Sequence, residues 1–112
     1  MTQTSISVIR ELVKYLKEVT VSDSFFKAIA DANRRKILLL LKKHQSLTPG
    51  EIATHFEISK AALSEHLKIL RTADLIYASK RGQFIHYALN TSVFEDIISW
   101  IMQITDKSEV TK

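Results

Sequence analysis

Apolar residues recur every three or four positions in several stretches of the chain, and this spacing predicts amphipathic helices. The predicted helices cover residues 5–20, 24–30, 31–44, 51–56, 59–73 and 91–105, with a polar break from Val21 to Ser24. The apolar run from Ile37 to Leu41 fits a buried strand on periodicity alone. The acidic cap at Asp31 and the helix-favouring residues around the run favour a helix buried nearly all round.

Two cap signals stand close together in the middle of the chain. Thr48 and Glu51 have the spacing of a capping box, and Pro49 stands at the first helical position, where its missing N–H costs nothing. Ser59 can cap the following helix, which buries Leu63, Leu67 and Leu70. Two helices joined by a short turn, the second with a polar face, predict a helix-turn-helix.

The period changes to two after this helix. Ile85, Tyr87 and Leu89 share one face of a strand, and a first strand starts at Ile76. The residues between the strands, 79–83, are basic, and Gly82 can adopt the positive φ of a tight turn. The predicted fold class is therefore mainly α with a small β-hairpin, a winged helix-turn-helix whose wing carries Lys80 and Arg81.

Length and composition favour one globular domain over residues 1–112, of which residues 24–90 form the winged core. There is no cysteine, no secretory signal pattern and no apolar run of membrane-spanning length, so we expect a cytoplasmic protein without membrane insertion. Residues 25–47 carry six basic side chains and one acidic one, a net charge of +5 within a chain of +4. Arg34, Arg35 and Lys36 could reach phosphates or form a solvated basic end.

No pattern of catalytic or metal-binding residues stands out. The four histidines lack the i, i+4 spacing of helical metal ligands, and Glu51 with His55 is far more often a simple side-chain pair. Ser64 and His66 point away from each other on a helix, so Ser64 cannot give its proton to His66. We expect no enzyme, no cofactor and no metal.

The two terminal helices have more apolar surface than a small domain needs. Residues 5–20 carry one stripe, and residues 91–105 are apolar over more than half of their circumference. These helices could pack within one subunit, but a symmetric dimer interface is the interpretation we favour. The residues predicted at that interface are Ile6, Ile9, Val13, Leu16, Ile97, Trp100, Ile101 and Ile104.

With these elements in place, the chain resembles the ArsR/SmtB family of winged-helix repressors, and within it the SdpR-like autorepressors. The resemblance rests on Phe26 to Asp31, Arg34 to Leu38, Glu51 to Ala53, Ser59, Ser64, His66-Leu67, Leu70 and the hairpin from Gly82 to Tyr87. It implies a homodimer on an inverted-repeat operator. It also implies that Ser59, Lys60, Ala61, Ser64, His66 and Lys68 lie at the DNA groove, with Lys80 and Arg81 in the wing.

Two departures from the family bear on metal sensing. Metal-sensing members carry paired cysteines where this chain has Thr48-Pro49-Gly50-Glu51, and the other family site finds only Glu95 and Asp96 without a histidine. We therefore expect a transcriptional repressor that binds double-stranded DNA, regulates its own gene and does not sense metal. A protein partner that sequesters the repressor is one way in which it could be released from DNA.

Two other classes of binding function remain as alternatives. A winged-helix protein-interaction module would expose large apolar anchors on the second helix of the helix-turn-helix, and the polar face of that helix carries none. Single-stranded RNA binding would need exposed aromatic side chains for stacking.

Overall fold

Five α-helices and one antiparallel hairpin make up the described part of the chain, so the mainly helical class with a small hairpin is confirmed. The structure is a computed structural model that describes the backbone of residues 2–105 and the side chains of residues 6–12 and 23–105. The elements are α1 (Thr2–Ile29), α2 (Ala32–His44), α3 (Pro49–Ala53), α4 (Lys60–Thr72), β1 (Ile76–Arg81), β2 (Phe84–Leu89) and α5 (Thr91–Thr105). None of the described helices has the length and apolar character needed to cross a membrane.

The first helix is continuous, so the predicted break at Val21 to Ser24 is wrong. Backbone helix runs without interruption from Thr2 to Ile29. Valine, serine and aspartate cost only tenths of a kcal/mol each in a helix, roughly up to 0.7, and this segment contains neither glycine nor proline. Ending and renucleating the helix would cost more, because a new nucleus fixes several residues for one hydrogen bond. The end of α1 is held to the core by the buried Phe25 and Ala28.

The second helix starts as predicted but is not buried all round. The carboxylate of Asp31 accepts from the N–H groups of Asn33 (2.8 Å) and Arg34 (3.2 Å), which makes Asp31 the N-cap. Ile37 and Leu41 are buried, whereas Leu39 is 70% exposed. A run of five apolar residues covers more of a 3.6-residue turn than one buried face, so one member must point outward.

The capping box at the start of α3 is confirmed. The Thr48 N–H donates to Glu51 Oε1 (2.8 Å), and the Glu51 N–H donates to Thr48 Oγ1 (3.1 Å). The helix ends at Ala53 rather than at the predicted Phe56, because the following turn tightens. There the Phe56 N–H donates to the carbonyl of Ala53, three residues back (3.1 Å).

The base of the hairpin is anchored to the helix-turn-helix through β2 and through Asn90, the residue after β2. Leu47 and Tyr87 exchange two backbone hydrogen bonds of 3.0 and 2.8 Å, which attach the loop before α3 to β2. The side chain of Asn90 donates to the carbonyl of Asp74 (3.0 Å), which joins the end of β2 to the exit from α4. The strands pair from Ile76 with Leu89 to Arg81 with Phe84, and Gly82 at the turn has φ +61°.

The core lies between α2, α4, the wing and the start of α5, and it is entirely apolar among the described residues. Its most enclosed large side chains are Ile37, Leu41, Ile52, Leu70 and Leu75. Helix α5 begins at Thr91, directly after Asn90. Edge-to-face contacts of Phe25 with Phe94 and of Phe26 with Trp100 pack α5 against the end of α1.

Candidate nucleic-acid interface

One face of α4 is open to solvent and carries short polar and basic side chains. Ser59 caps the helix, with its Oγ accepting from the Ala62 N–H at 3.0 Å. The exposed residues from Lys60 to Lys68 are Lys60, Ala61, Ser64, Glu65 and Lys68. At 100° per residue, Lys60, Ala61, Ser64 and Lys68 share a sector of about 100° beside the buried stripe of Leu63, Leu67 and Leu70, and Glu65 lies about 40° outside that sector. Together with Ser59 we call the four residues of this sector the α4 polar face.

His66 is not part of the α4 polar face, although the sequence placed it at the groove with Ser64. Its side chain is 15% exposed, and Nδ1 lies 3.1 Å from Nη1 of Arg34 and 3.9 Å from Oδ1 of Asp31. Two residues along a helix turn the side chain by about 200°. His66 therefore faces the start of α2 while Ser64 faces solvent.

The wing presents two basic side chains beside the loop between α2 and α3. Lys80 and Arg81 are exposed at the end of β1. Nη2 of Arg81 donates a hydrogen bond to Oγ of Ser46 at 3.2 Å. Both cations stand next to the two-residue turn at Gly82 and Gln83, where they remain accessible to a phosphate.

The three basic residues at the start of α2 are bound to backbone carbonyls. Arg34 Nε donates to the Ala28 carbonyl (2.6 Å) and Nη2 to the Lys27 carbonyl (3.2 Å), while Arg35 Nη1 donates to the Ile29 carbonyl (2.6 Å). These carbonyls end α1 and have no partner within that helix, so the two guanidinium groups cap it. Lys36 donates to the His55 carbonyl (2.6 Å) and lies over the ring of Phe56.

Two carboxylates near this region are more acidic than usual. Partial burial tends to raise the pKa of Asp31. The hydrogen bonds from the N–H groups of Arg34 and Asn33 and the nearby Arg34 guanidinium outweigh that effect and lower the pKa. The hydrogen bond from the Thr48 N–H lowers the pKa of Glu51. Both carboxylates are therefore ionised at neutral pH and act as helix caps.

A cleft between α1 and α4 brings a second lysine beside the α4 polar face. It has a volume of about 210 Å³ and is lined by Ser24, Lys27, Glu65, Lys68, Ile69, Thr72 and Ala73. Lys27 was missed because its position in the fold depends on where α1 ends. Its signal in the sequence is only that it lies beside the buried Phe25 and Ala28 on a different face of the same helix.

The residues predicted at the dimer interface include both buried and exposed side chains. Ile97 is 3% exposed and belongs to the core of its own chain, and Trp100 is half-buried against Phe26. The structure therefore leaves Ile97 no surface for a partner. Val13 and Leu16 lie outside the residues whose side chains are described. Among the described residues, the terminal helices expose nine large apolar side chains, which we call the terminal apolar surface: Ile6, Val8, Ile9, Leu12, Phe26, Ile98, Ile101, Met102 and Ile104.

Metal ligands do not gather in the described ranges. Among residues 6–12 and 23–105, whose side chains are described, no group of three or more histidine, cysteine, aspartate or glutamate side chains is placed to hold a metal ion. In the stretch from Thr48 to Glu51, the Thr48 and Glu51 side chains carry oxygen atoms of the kind that bind metals. Each of these side chains accepts a hydrogen bond from the backbone N–H of the other residue.

Comparison with known proteins gives consistent matches. The profile described as "Bacterial regulatory protein, arsR family" matches residues 31–78. The chain is 48% identical over 87 residues to the transcriptional repressor SdpR of Bacillus subtilis, with 78% of this chain and 96% of that protein covered. It is 32% identical over 83 residues to an arsenical resistance operon repressor of Escherichia coli, with 74% and 68% covered. An ArsR-like regulator from Rhodococcus sp. RHA1 has the same fold, with a TM-score of 0.72, 22% identity and coverage of 83% and 86%.

Proposed function

Because this chain belongs to the ArsR family of bacterial regulatory proteins, we propose that it represses transcription as a homodimer bound to an inverted-repeat operator. Like the rest of the family it is a DNA-binding transcriptional regulator and not an enzyme. The observation that carries the proposal is the α4 polar face, which stands clear of the core on a helix held by Leu63, Leu67 and Leu70.

The α4 polar face has the composition of a helix that enters the major groove. Ser59, Lys60 and Ala61 form its N-terminal part, the part that reaches base edges in helix-turn-helix proteins. Ser64 offers a hydroxyl to a base, and Lys60 and Lys68 offer ammonium groups to bases or phosphates. Lys80 and Arg81 reach the backbone or the minor groove from the wing.

The terminal apolar surface supports the homodimer. Ile6, Ile9 and Leu12 are exposed on α1, and Ile101 and Ile104 on α5. The radius of gyration is 17.4 Å, whereas a compact chain of this length has about 13 Å. The excess arises from the helix ends that extend beyond the core. A second copy would cover both apolar faces at once and place two α4 helices on one side of the assembly. We therefore assign residues 5–20 and 91–105 to dimerisation and residues 24–90 to DNA binding.

Control of the repressor is proposed to be independent of metal. The chain has no cysteine, and the Thr48 and Glu51 side chains are hydrogen-bonded within their own capping box. In α5, Glu95 and Asp96 stand without a histidine in the same helix. These donors do not fit either metal site of the family. We propose that the protein acts in the cytoplasm, regulates its own gene, and is released by a partner protein that sequesters it.

The test is fluorescence anisotropy with duplex DNA from the upstream region of the gene and with random duplex, each at two salt concentrations. We expect preference for the upstream DNA by about 10³-fold or more, saturating at one dimer per site. Ser64→Glu places a negative charge on the α4 polar face and should abolish the preference. Leu39→Glu introduces the same charge at an exposed position of α2, outside the α4 polar face and the terminal helices, and is the matched control. Equal binding of both duplexes by the wild type, at both salt concentrations, would instead favour the protein-interaction alternative.

A further inference from the structure

We propose that Arg34 and His66 form a joint that sets the rotation of α4 about its axis, and that His66 is a positioning residue rather than a base contact. The inference rests on the proposed DNA-binding function, whose specificity it explains. Its basis is that one guanidinium group, carried by α2, contacts both α1 and α4.

The contacts of Arg34 join the end of α1 to the middle of α4. Its Nε and Nη2 bind the carbonyls of Ala28 and Lys27, and its Nη1 lies 3.1 Å from Nδ1 of His66. The backbone of Arg34 is fixed by the N-cap Asp31 at the start of α2. Because a guanidinium is planar and its N–H groups have fixed directions, these hydrogen bonds constrain one another.

The chemistry of the contact defines what Arg34 needs from position 66. An arginine only donates hydrogen bonds, so Nδ1 of His66 acts as the acceptor in this contact. The neighbouring Asp31 carboxylate is 3.9 Å from the same nitrogen and accepts from backbone N–H groups. A side chain at position 66 therefore needs an acceptor directed at Arg34.

The position of His66 on α4 explains why this contact fixes rotation. Leu63, Leu67 and Leu70 hold one side of the helix through apolar contacts, which are not directional. Among the described residues, the hydrogen bond to Arg34 is the one side-chain hydrogen bond that joins the body of α4 to another helix. It acts at the flank of the buried stripe, where it opposes rotation.

A small rotation would matter at the DNA. Side chains extend about 5–6 Å from a helix axis, so a turn of about 20° moves their ends by about 2 Å. That displacement is larger than hydrogen bonds to base edges tolerate, whereas lysine side chains can follow a phosphate. Loss of the joint should therefore reduce sequence preference more than general affinity for DNA.

The experiment compares His66→Leu, His66→Gln and Arg34→Lys with the wild type, using upstream and random duplex over a range of salt. His66→Leu should lower the preference for upstream DNA about tenfold or more, with an unchanged salt dependence. Glutamine at position 66 supplies an acceptor and should restore most of the preference. Arg34→Lys keeps the charge but loses the planar set of donors, so it should behave like His66→Leu. His44→Leu, at the exposed end of α2, is the control.

Two results would overturn the proposal. If Arg34→Lys kept full preference while His66→Leu relaxed it at one base pair, His66 would be reading that base directly. If His66→Leu made the salt dependence shallower, His66 would contact a phosphate.

A second measurement does not depend on DNA. Amide hydrogen exchange in the free protein should be faster in α4 for His66→Leu and Arg34→Lys and close to wild type for His66→Gln. Unchanged exchange in all three variants would refute the joint. Absence of DNA preference in the wild type would refute only the proposed function.

Discussion

Replacing Arg81 by alanine should weaken binding to every DNA sequence to the same extent and make the binding less dependent on salt. The Arg81 side chain is exposed, and its recorded hydrogen bond is to Ser46 Oγ at 3.2 Å, so its removal should leave the fold intact. Each lost phosphate contact reduces the slope of log K against log salt by about 0.9. A dimer loses two such contacts, so the slope should fall by about 1.8. At 1 M salt the variant and the wild type should bind DNA equally well. At 0.15 M salt the variant should bind about 30-fold more weakly than the wild type.

Fluorescence anisotropy titrations at four or more salt concentrations, with upstream and random duplex, measure both quantities. Lys43→Ala removes one positive charge from an exposed position in the last turn of α2 and serves as the control. A slope change near 0.9 would mean that one wing per complex contacts DNA. An unchanged slope together with an altered sequence preference would refute the assignment, because Arg81 would then be reading bases.

Two further predictions concern stability. Leu70→Ala removes a fully buried side chain from the contact of α4 with the core, and should lower the free energy of unfolding in urea by about 2–5 kcal/mol; a loss below about 1 kcal/mol would mean that α4 is loosely packed. Glu51→Gln removes a carboxylate whose pKa is lowered from 4.5, chiefly by the Thr48 N–H. The ionised form is favoured in the folded state, so the wild type should be more stable than the variant above pH 4.5. That advantage should disappear as the pH falls through the lowered pKa of Glu51, as thermal melts can show; a pH-independent difference would contradict this linkage.

Features decided by neighbouring residues could be predicted from the sequence. The capping box of Thr48 and Glu51, the cap at Ser59 and the turn at Gly82 each depend on atoms within four residues of one another. The order of helices and the hairpin follows from these signals and from the period of apolar positions. The continuity of α1 could not be predicted in this way. The weak helix formers at positions 21–24 make the helix less stable, and the size of that loss has to be compared with the stabilisation that comes from packing elsewhere in the fold.

The candidate site was predicted less well where charge was used as a guide. The basic residues Arg34, Arg35 and Lys36 contribute to the net charge of residues 25–47, yet all three bind carbonyls of the chain itself. The helix that ends at Ile29, a few residues before them, leaves its last carbonyls without a partner inside the helix, and these carbonyls attract cations. His66 was misplaced for a related reason: its partner lies 32 positions away, and no local pattern marks it.

The length of α1 gives small movements a large effect. Its 28 residues span about 42 Å, and Arg34 and Arg35 bind carbonyls at the C-terminal end of the helix, next to α4. If the helix tilted by about 5° about this C-terminal end, its N-terminal end would move by about 4 Å. Conversely, a contact that holds the exposed Ile6, Ile9 and Leu12 would fix the angle of α1 relative to the core. In a dimer, that distant contact would help to set the spacing of the two α4 helices, and thus which half-site separation the protein accepts.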